Sequence, residues 1–176
     1  MIDLDRFIAL VRTGKRPNTS FYHFTDVSNL VSIRQNGLLS MAELRHRRIK
    51  VERPGGNQWS RDADRISGMD QYVHLCFWSQ HPMEYAARQD GRIQQSRFLR
   101  VKLETIKIPG VLVTDQVSNK SGVQGTLVRE SFGNLDLNVI YNQTDWTQKE
   151  VKKRLLASRK YELLVPNYVP VSYLEW

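Results

Sequence analysis

The segment Tyr72-Val73-His74-Leu75-Cys76-Phe77-Trp78-Ser79 is apolar with little alternation, the pattern of a strand buried on both faces. Pro82 suits the first turn of a helix that runs through Glu84, Ala86 and Ala87 to Gly91 and packs over that strand. Residues 98–104 behave differently. Leu99, Val101 and Leu103 alternate with Arg100, Lys102 and Glu104, which predicts a half-exposed strand. In Tyr161-Glu162-Leu163-Leu164-Val165 the same period buries Leu163 and Val165 on one face and holds Glu162 and Leu164 on the other. A carboxylate fixed in this way is aimed at a point and can act on a cation. Its commoner fate is a strand-edge ion pair, here with Arg159 or Lys160.

Helical signals surround these strands. Residues 3–13 set Leu4, Phe7, Ile8 and Val11 on one face and stop at Gly14. After a strand at Phe21-Tyr22-His23-Phe24, Asp26 can cap a helix that turns Val27, Leu30 and Val31 inward and ends in a left-handed stop at Asn36-Gly37. Residues 41–69 are polar, Arg-rich and broken by Pro54-Gly55-Gly56, which predicts a short helix followed by a long surface loop. Residues 109–145 read as loop-rich with short β-prone pieces. The Thr144-Asp145-Trp146 corner starts a basic helix with Val151, Leu155 and Leu156 toward the core. Short strands around Glu162 and residues 169–174 close the chain. With no internal repeat, low-complexity tract or linker, residues 1–176 read as one domain.

No apolar run approaches the roughly 20 residues that span a bilayer, and Met1-Ile2-Asp3-Leu4-Asp5 lacks the basic start and apolar stretch of a signal peptide. The expectation is a cytoplasmic protein that does not engage a membrane. The single cysteine, Cys76, excludes an internal disulfide and reads as a packed thiol. Twenty-six Lys and Arg against 18 Asp and Glu leave a formal charge of +8, the footprint of a protein that meets a polyanion. The charge is clustered. Arg45, Arg47, Arg48, Lys50 and Arg53 crowd one stretch, and Lys149, Lys152, Lys153, Arg154, Arg159 and Lys160 another, which favours nucleic acid over a merely basic surface.

His23, His46, His74 and His81 show none of the tight spacings of zinc sites, so no metal is expected. Phosphate loops, dinucleotide-binding glycine fingerprints and nucleophile elbows are absent. Three separated pieces remain: His23, the Arg-rich loop with Arg61 and Arg65, and Glu162. Alone, His23 would more often be a hydrogen-bonded structural histidine. Together the three match the needs of an NAD-cleaving transferase. The strand histidine and its backbone can grip ribose and carboxamide, an arginine can hold the diphosphate, and the carboxylate can stabilise an oxocarbenium ion as nicotinamide leaves.

The chain resembles the DarT family of toxins, DNA ADP-ribosyltransferases that modify bases in single-stranded DNA. The resemblance runs through Tyr22-His23-Phe24-Thr25 with Asn29-Leu30, then Ile33-Arg34-Gln35-Asn36-Gly37-Leu38-Leu39-Ser40. It continues in Tyr72-Val73-His74-Leu75-Cys76-Phe77-Trp78 with His81-Pro82-Met83, in Asp145-Trp146, and in Tyr161-Glu162-Leu163-Leu164-Val165-Pro166 with Val169-Pro170. It implies an α+β fold, with ADP-ribosyltransferase-like split antiparallel β-sheets, flanking helices and an NAD cleft. It also implies that His23, Phe24 and Thr25 bind NAD as co-substrate, with Ser32, in place of an expected glycine, and Leu39 lining the pocket. Arg65, with Arg61 as close rival, would contact NAD and help take the proton from the target base, and Glu162 would be the catalytic glutamate. Residues 118–162 would present the DNA, with Tyr141, Trp146 and Tyr168 as stacking candidates that otherwise read as core. The expected protein is a monomeric toxin acting on thymine or guanine in single-stranded DNA, opposed by a macrodomain-type antitoxin. Two alternatives stand beside it: an NAD-consuming enzyme of the same fold acting on RNA, by base modification or 2′-phosphate removal, and a catalytically silent nucleic-acid-binding module.

Overall fold

A computed structural model of the chain describes residues 4–13, 19–120, 122–142 and 145–176. Met1 to Asp3, Gly14 and Thr144, which carry sequence expectations, lie outside the described residues. Helix α1 (Leu4–Thr13) buries Phe7, Ile8 and Val11, as their spacing predicts. Strand β1 (Ser20–Asp26) ends where the Asp26 carboxylate accepts from the Ser28 amide at 2.9 Å, starting a 3-10 turn (Val27–Asn29) that continues into α2 (Leu30–Asn36). That tight first turn shifts the helical phase. Leu30 and Ile33 therefore take the inner face, while Val31 is 68% exposed and Val27 also meets solvent, against the expectation that both face inward.

Gly37 corrects a second expectation. Its φ of 79° and ψ of −171° are extended on the positive-φ side rather than left-handed helical, because the chain passes straight into β2 (Leu38–Leu39) beside residues 168–169, where a Cβ would strike the Val169 carbonyl oxygen. After α3 (Met41–His46), the predicted long loop is interrupted by a ten-residue helix, α4 (Gln58–Ser67). Asn57 caps it by accepting from the Ser60 amide at 2.8 Å, and Gly68 ends it in the left-handed region. No apolar period announced α4 because its one buried residue is a serine, Ser60.

Strand β3 (Tyr72–Cys76), helix α5 (Pro82–Gln89) and strand β4 (Ser96–Lys102) fall where the sequence places them. The loop-rich stretch beyond holds β5 (Leu112–Thr114), β6 (Thr126–Leu127), α6 (Val128–Ser131) and α7 (Leu137–Tyr141). The basic helix α8 (Lys149–Ser158) buries Val151 and Leu155, but Leu156, expected in the core, is 48% exposed. The chain closes with β7 (Glu162–Pro166), β8 (Tyr168–Val169) and β9 (Leu174–Glu175).

The strands form one antiparallel sheet in the order β6-β5-β7-β3-β1-β4-β9, with β2 and β8 paired apart. Its two halves are unequal partners. β3 pairs with β7 over five residues and β1 with β4 over seven, yet β1 meets β3 at a single register point, Tyr22 opposite Cys76. From there the halves diverge, which is the split arrangement the resemblance implies. The aromatic core ties them together through Phe21 of β1, edge-on to Phe77 just after β3 at 5.2 Å. Among the described residues no helix is long and apolar enough to cross a membrane.

Candidate active site

Where β1 and β3 part, the missing ladder is replaced by a side chain. His23 Nδ1 donates to the His74 carbonyl at 3.0 Å, which leaves Nε2 as a bare acceptor. Burial pushes this imidazole below its ordinary value, more than the His74 carbonyl pulls it up, so it is neutral near pH 7. The gap between the halves is a cleft lined by His23, Phe24, Thr25, Ser32, Leu39 and Glu162. Its space, open mouth included, is about 1160 Å³.

The far wall is a loop, residues 51–56, fastened by one buried side chain. Asn29 Oδ1 accepts from the Glu52 and Arg53 amides at 3.1 and 3.3 Å, while its Nδ2 donates to the Arg53 carbonyl at 2.8 Å and to Thr25 Oγ1 at 3.1 Å. Half-buried Arg53 and exposed Lys50 thereby line the cleft as its cations. Helix α4 closes a further side with Ser60 and Asp64, and Asn119 Nδ2 donates to Ser60 Oγ at 2.5 Å, joining the 115–120 loop to it.

Glu162 sits deep in this cleft on a strand paired on both sides, opposite Cys76 of β3 and Thr114 of β5. Its Oε2 accepts from the Ser118 amide at 2.9 Å and lies 3.5 Å from His74 Nδ1, while Oε1 lies 3.8 Å from His81 Nε2 and accepts no hydrogen bond among the described residues. The second oxygen is therefore free for a ligand hydroxyl. Burial would raise the carboxyl, but the hydrogen bond and charge of His74 and the Ser118 amide outweigh it, and Glu162 is held below its ordinary value. For His74, burial works downward and is overcome by the hydrogen bond and charge of Glu162, the Asp64 charge and the Met69 carbonyl, which lift the imidazole to about 9. Its Nε2 donates to that carbonyl at 3.2 Å and its Nδ1 lies 3.1 Å from Ser118 Oγ, and the imidazole so lifted carries protons on both ring nitrogens near pH 7. His81 is lowered by burial. Its Nδ1 accepts from the Met83 amide at 3.3 Å to cap α5, and its ring stacks on Phe24 with centroids 5.8 Å apart. The Asp64 carboxyl is raised by burial and by the charges of Glu162 and Asp70 against that of His74.

The structure gathers His23, Phe24, Thr25, Ser32, Leu39 and Glu162 around one cavity. Arg61 and Arg65 lie on α4 outside that lining. Arg61 donates to the Gly56 carbonyl at 2.7 Å and to Gln58 Oε1 at 2.8 Å, and Arg65 is exposed. The carboxylate of Glu162 has histidine and backbone partners in place of Arg159 or Lys160. Of the stacking candidates, Tyr141 is core, whereas Trp146 and Tyr168 are exposed. Sequence reasoning passed over His74, His81, Ser118, Asn29 and Arg53. The signal for His74 was available: it shares strand parity with Tyr72 and Cys76, which also line the cleft. Among the described residues no group of three or more His, Cys, Asp or Glu side chains could hold a metal ion.

The family model for DarT, described as an ssDNA thymidine ADP-ribosyltransferase, matches residues 22–176. No curated protein matches the chain. Among solved structures, Thermosipho africanus DarTG in complex with ADP-ribose is similar at a TM-score of 0.66 and 21% identity, over 89% of this chain and 42% of that one. The chain thus spans less than half the length of the DarTG protein. Thermus sp. 2.9 DarT in complex with NAD+ is similar at 0.60 and 19% identity, covering 91% and 81%. The same Thermus protein with ADP-ribosylated ssDNA is similar at 0.54 and 21% identity, covering 91% and 80%.

Proposed function

Because the chain belongs to the DarT family, we propose that its 176 residues act as one domain that transfers ADP-ribose from NAD to thymine bases of single-stranded DNA. The observation that carries this reading is the free Oε1 of Glu162 in the same cleft as the bare Nε2 side of His23. A neutral imidazole acceptor, a buried carboxylate with one unused oxygen and two cations at the rim form a donor and acceptor set that fits a dinucleotide.

Bound NAD supplies the ADP-ribosyl group, with nicotinamide as the leaving group. His23 and the Phe24–Thr25 backbone hold the nicotinamide riboside end, Ser32 and Leu39 line its pocket, and Arg53 and Lys50 face the diphosphate. Glu162 Oε1 accepts from a ribose hydroxyl and stabilises the positive charge that grows at the anomeric carbon as the glycosidic bond breaks. Thymidine has one N–H, on the ring, and that nitrogen forms the new bond while its proton is taken up. Arg65 or Arg61, by the family resemblance, assists that proton transfer after the loop and α4 adjust to substrate. An unpaired strand suits the chemistry, since a duplex would first have to unstack the base at a cost of a few kcal/mol. Within the same proposal the chain is the monomeric, cytoplasmic toxin of a toxin–antitoxin pair, opposed by a macrodomain-type partner.

The test is incubation with labelled NAD and matched oligonucleotides: thymine-containing DNA, the same DNA without thymine, and RNA. Label should enter only the first, with nicotinamide released, and Glu162→Ala should abolish both. Transfer to RNA alone, or labelling that survives the substitution, overturns the reading.

A further inference from the structure

We propose that the groove between α5 and α8 holds the single strand on either side of the reacting base, with Tyr85 as a stacking platform and Lys153, Arg159 and Lys160 as phosphate contacts. This rests on the DNA reading above and extends it to a surface outside the NAD cleft. The groove runs from α5, with Tyr85 and Arg88, to α8 and the turn after it, with Lys153, Leu156, Arg159 and Lys160.

Several observations converge on one kind of occupant. Tyr85 is 60% exposed, and Leu156 faces the same groove although its position in the helical period suits a core residue. Lys153, Arg159 and Lys160 form no ion pair among the described residues, and Arg159 Nε is buried without a hydrogen-bond partner. The only acid in the lining, Glu84, is already neutralised by Arg88 at 2.8 Å. Free cations beside an open aromatic ring match a polyanion whose bases are unpaired, since a duplex offers no base face to stack. The groove also abuts the chemistry. His81 lines both it and the NAD cleft, its Nε2 3.8 Å from Glu162 Oε1. A strand lying along α5 and α8 therefore passes within one side chain of the catalytic carboxylate.

Fluorescence anisotropy of a thymine-containing single-stranded oligonucleotide tests this, alongside NAD affinity and ADP-ribose transfer on the full chain. Tyr85→Ala should weaken DNA binding ~5- to 100-fold while Tyr85→Phe retains it. Lys153→Gln with Lys160→Gln should weaken binding and flatten its log–log salt dependence by about 0.7 per lost contact. NAD affinity and the thermal midpoint should hold in all of them, and Lys107→Gln, which removes a charge paired with Asp5 outside the groove, should bind DNA like the parent. Parental DNA affinity in the groove variants, or equal weakening by Lys107→Gln, overturns the groove. If the parent transfers to thymine DNA but the groove variants are unaffected, the groove alone fails. If binding depends on the groove and no transfer occurs, the transferase reading alone fails.

Discussion

Glu162 keeps its charge in a buried position because its neighbours are arranged around one oxygen and leave the other. An amide from Ser118 and the imidazolium of His74 hold Oε2, and a charge so held costs little further reorganisation when a cation develops opposite it. The relation is reciprocal. Glu162 is the main group lifting His74 against its desolvation, with Asp64 adding to it. Glu162→Gln should therefore lower ADP-ribose transfer by about 10²- to 10³-fold and, in the same protein, drop the His74 titration seen by NMR from about 9 toward the ordinary imidazole range. Asp64→Asn should lower that titration by less. An unmoved His74 in both variants would mean that the carboxylates do not set its charge. Glu162 was legible in the sequence because strand alternation alone fixes its face. Its partners were not, because they depend on which residue of β3 lies opposite it, and a register of Cys76 to Glu162 is a long-range fact.

At the level of elements, the cleft depends on a loop that has no secondary structure of its own. Asn29 ties residues 51–56 to β1 by satisfying four polar groups at once, two amides, a carbonyl and the Thr25 hydroxyl, while Arg61 and Arg92 donate to the Gly56 and Gly55 carbonyls. Asn29→Ala leaves those groups to find water or go unpaired, a loss of about 1–3 kcal/mol. It also frees Arg53 from its place on the wall. The expected result is a lower denaturant midpoint and a KM for NAD raised about tenfold, with kcat changed less, since the chemistry at Glu162 is not touched. A kcat loss without a KM change would assign Asn29 another role. Elements whose buried face is apolar, α1 and β4, were readable from periodicity. Helix α4 escaped because the side it turns to the cleft is Ser60 and Asp64, so a functional face erased the hydrophobic signal. Arg61 and Arg65, singled out by the family resemblance, lie on this helix, which fixes which of its residues can look inward.

The split of the sheet is a property of the whole molecule, and so is its response to pH. One register point between β1 and β3 opens a polar cleft in the middle of the fold, and three histidines, His23, His74 and His81, line it. They pull stability in opposite directions. His74 is raised to about 9 in the folded chain from an ordinary 6.5. Its contribution is complete below pH 6.5 and is lost as pH climbs through about 9. His23 and His81 are lowered from 6.5, so below pH 6.5 the unfolded chain binds protons that the folded chain refuses, and stability falls as pH drops. The thermal midpoint should therefore peak near neutrality and decline on both sides. Differential scanning calorimetry from pH 5 to 9.5 would trace the curve, and His74→Gln should flatten its alkaline side while leaving the acid side in place. A midpoint that stays level between pH 6.5 and 9, or an alkaline decline that His74→Gln preserves, would show that the imidazole beside Glu162 carries no charge in the folded protein. The carboxylate would then be holding its proton balance by the Ser118 amide alone, and the cleft would enter catalysis one positive charge short.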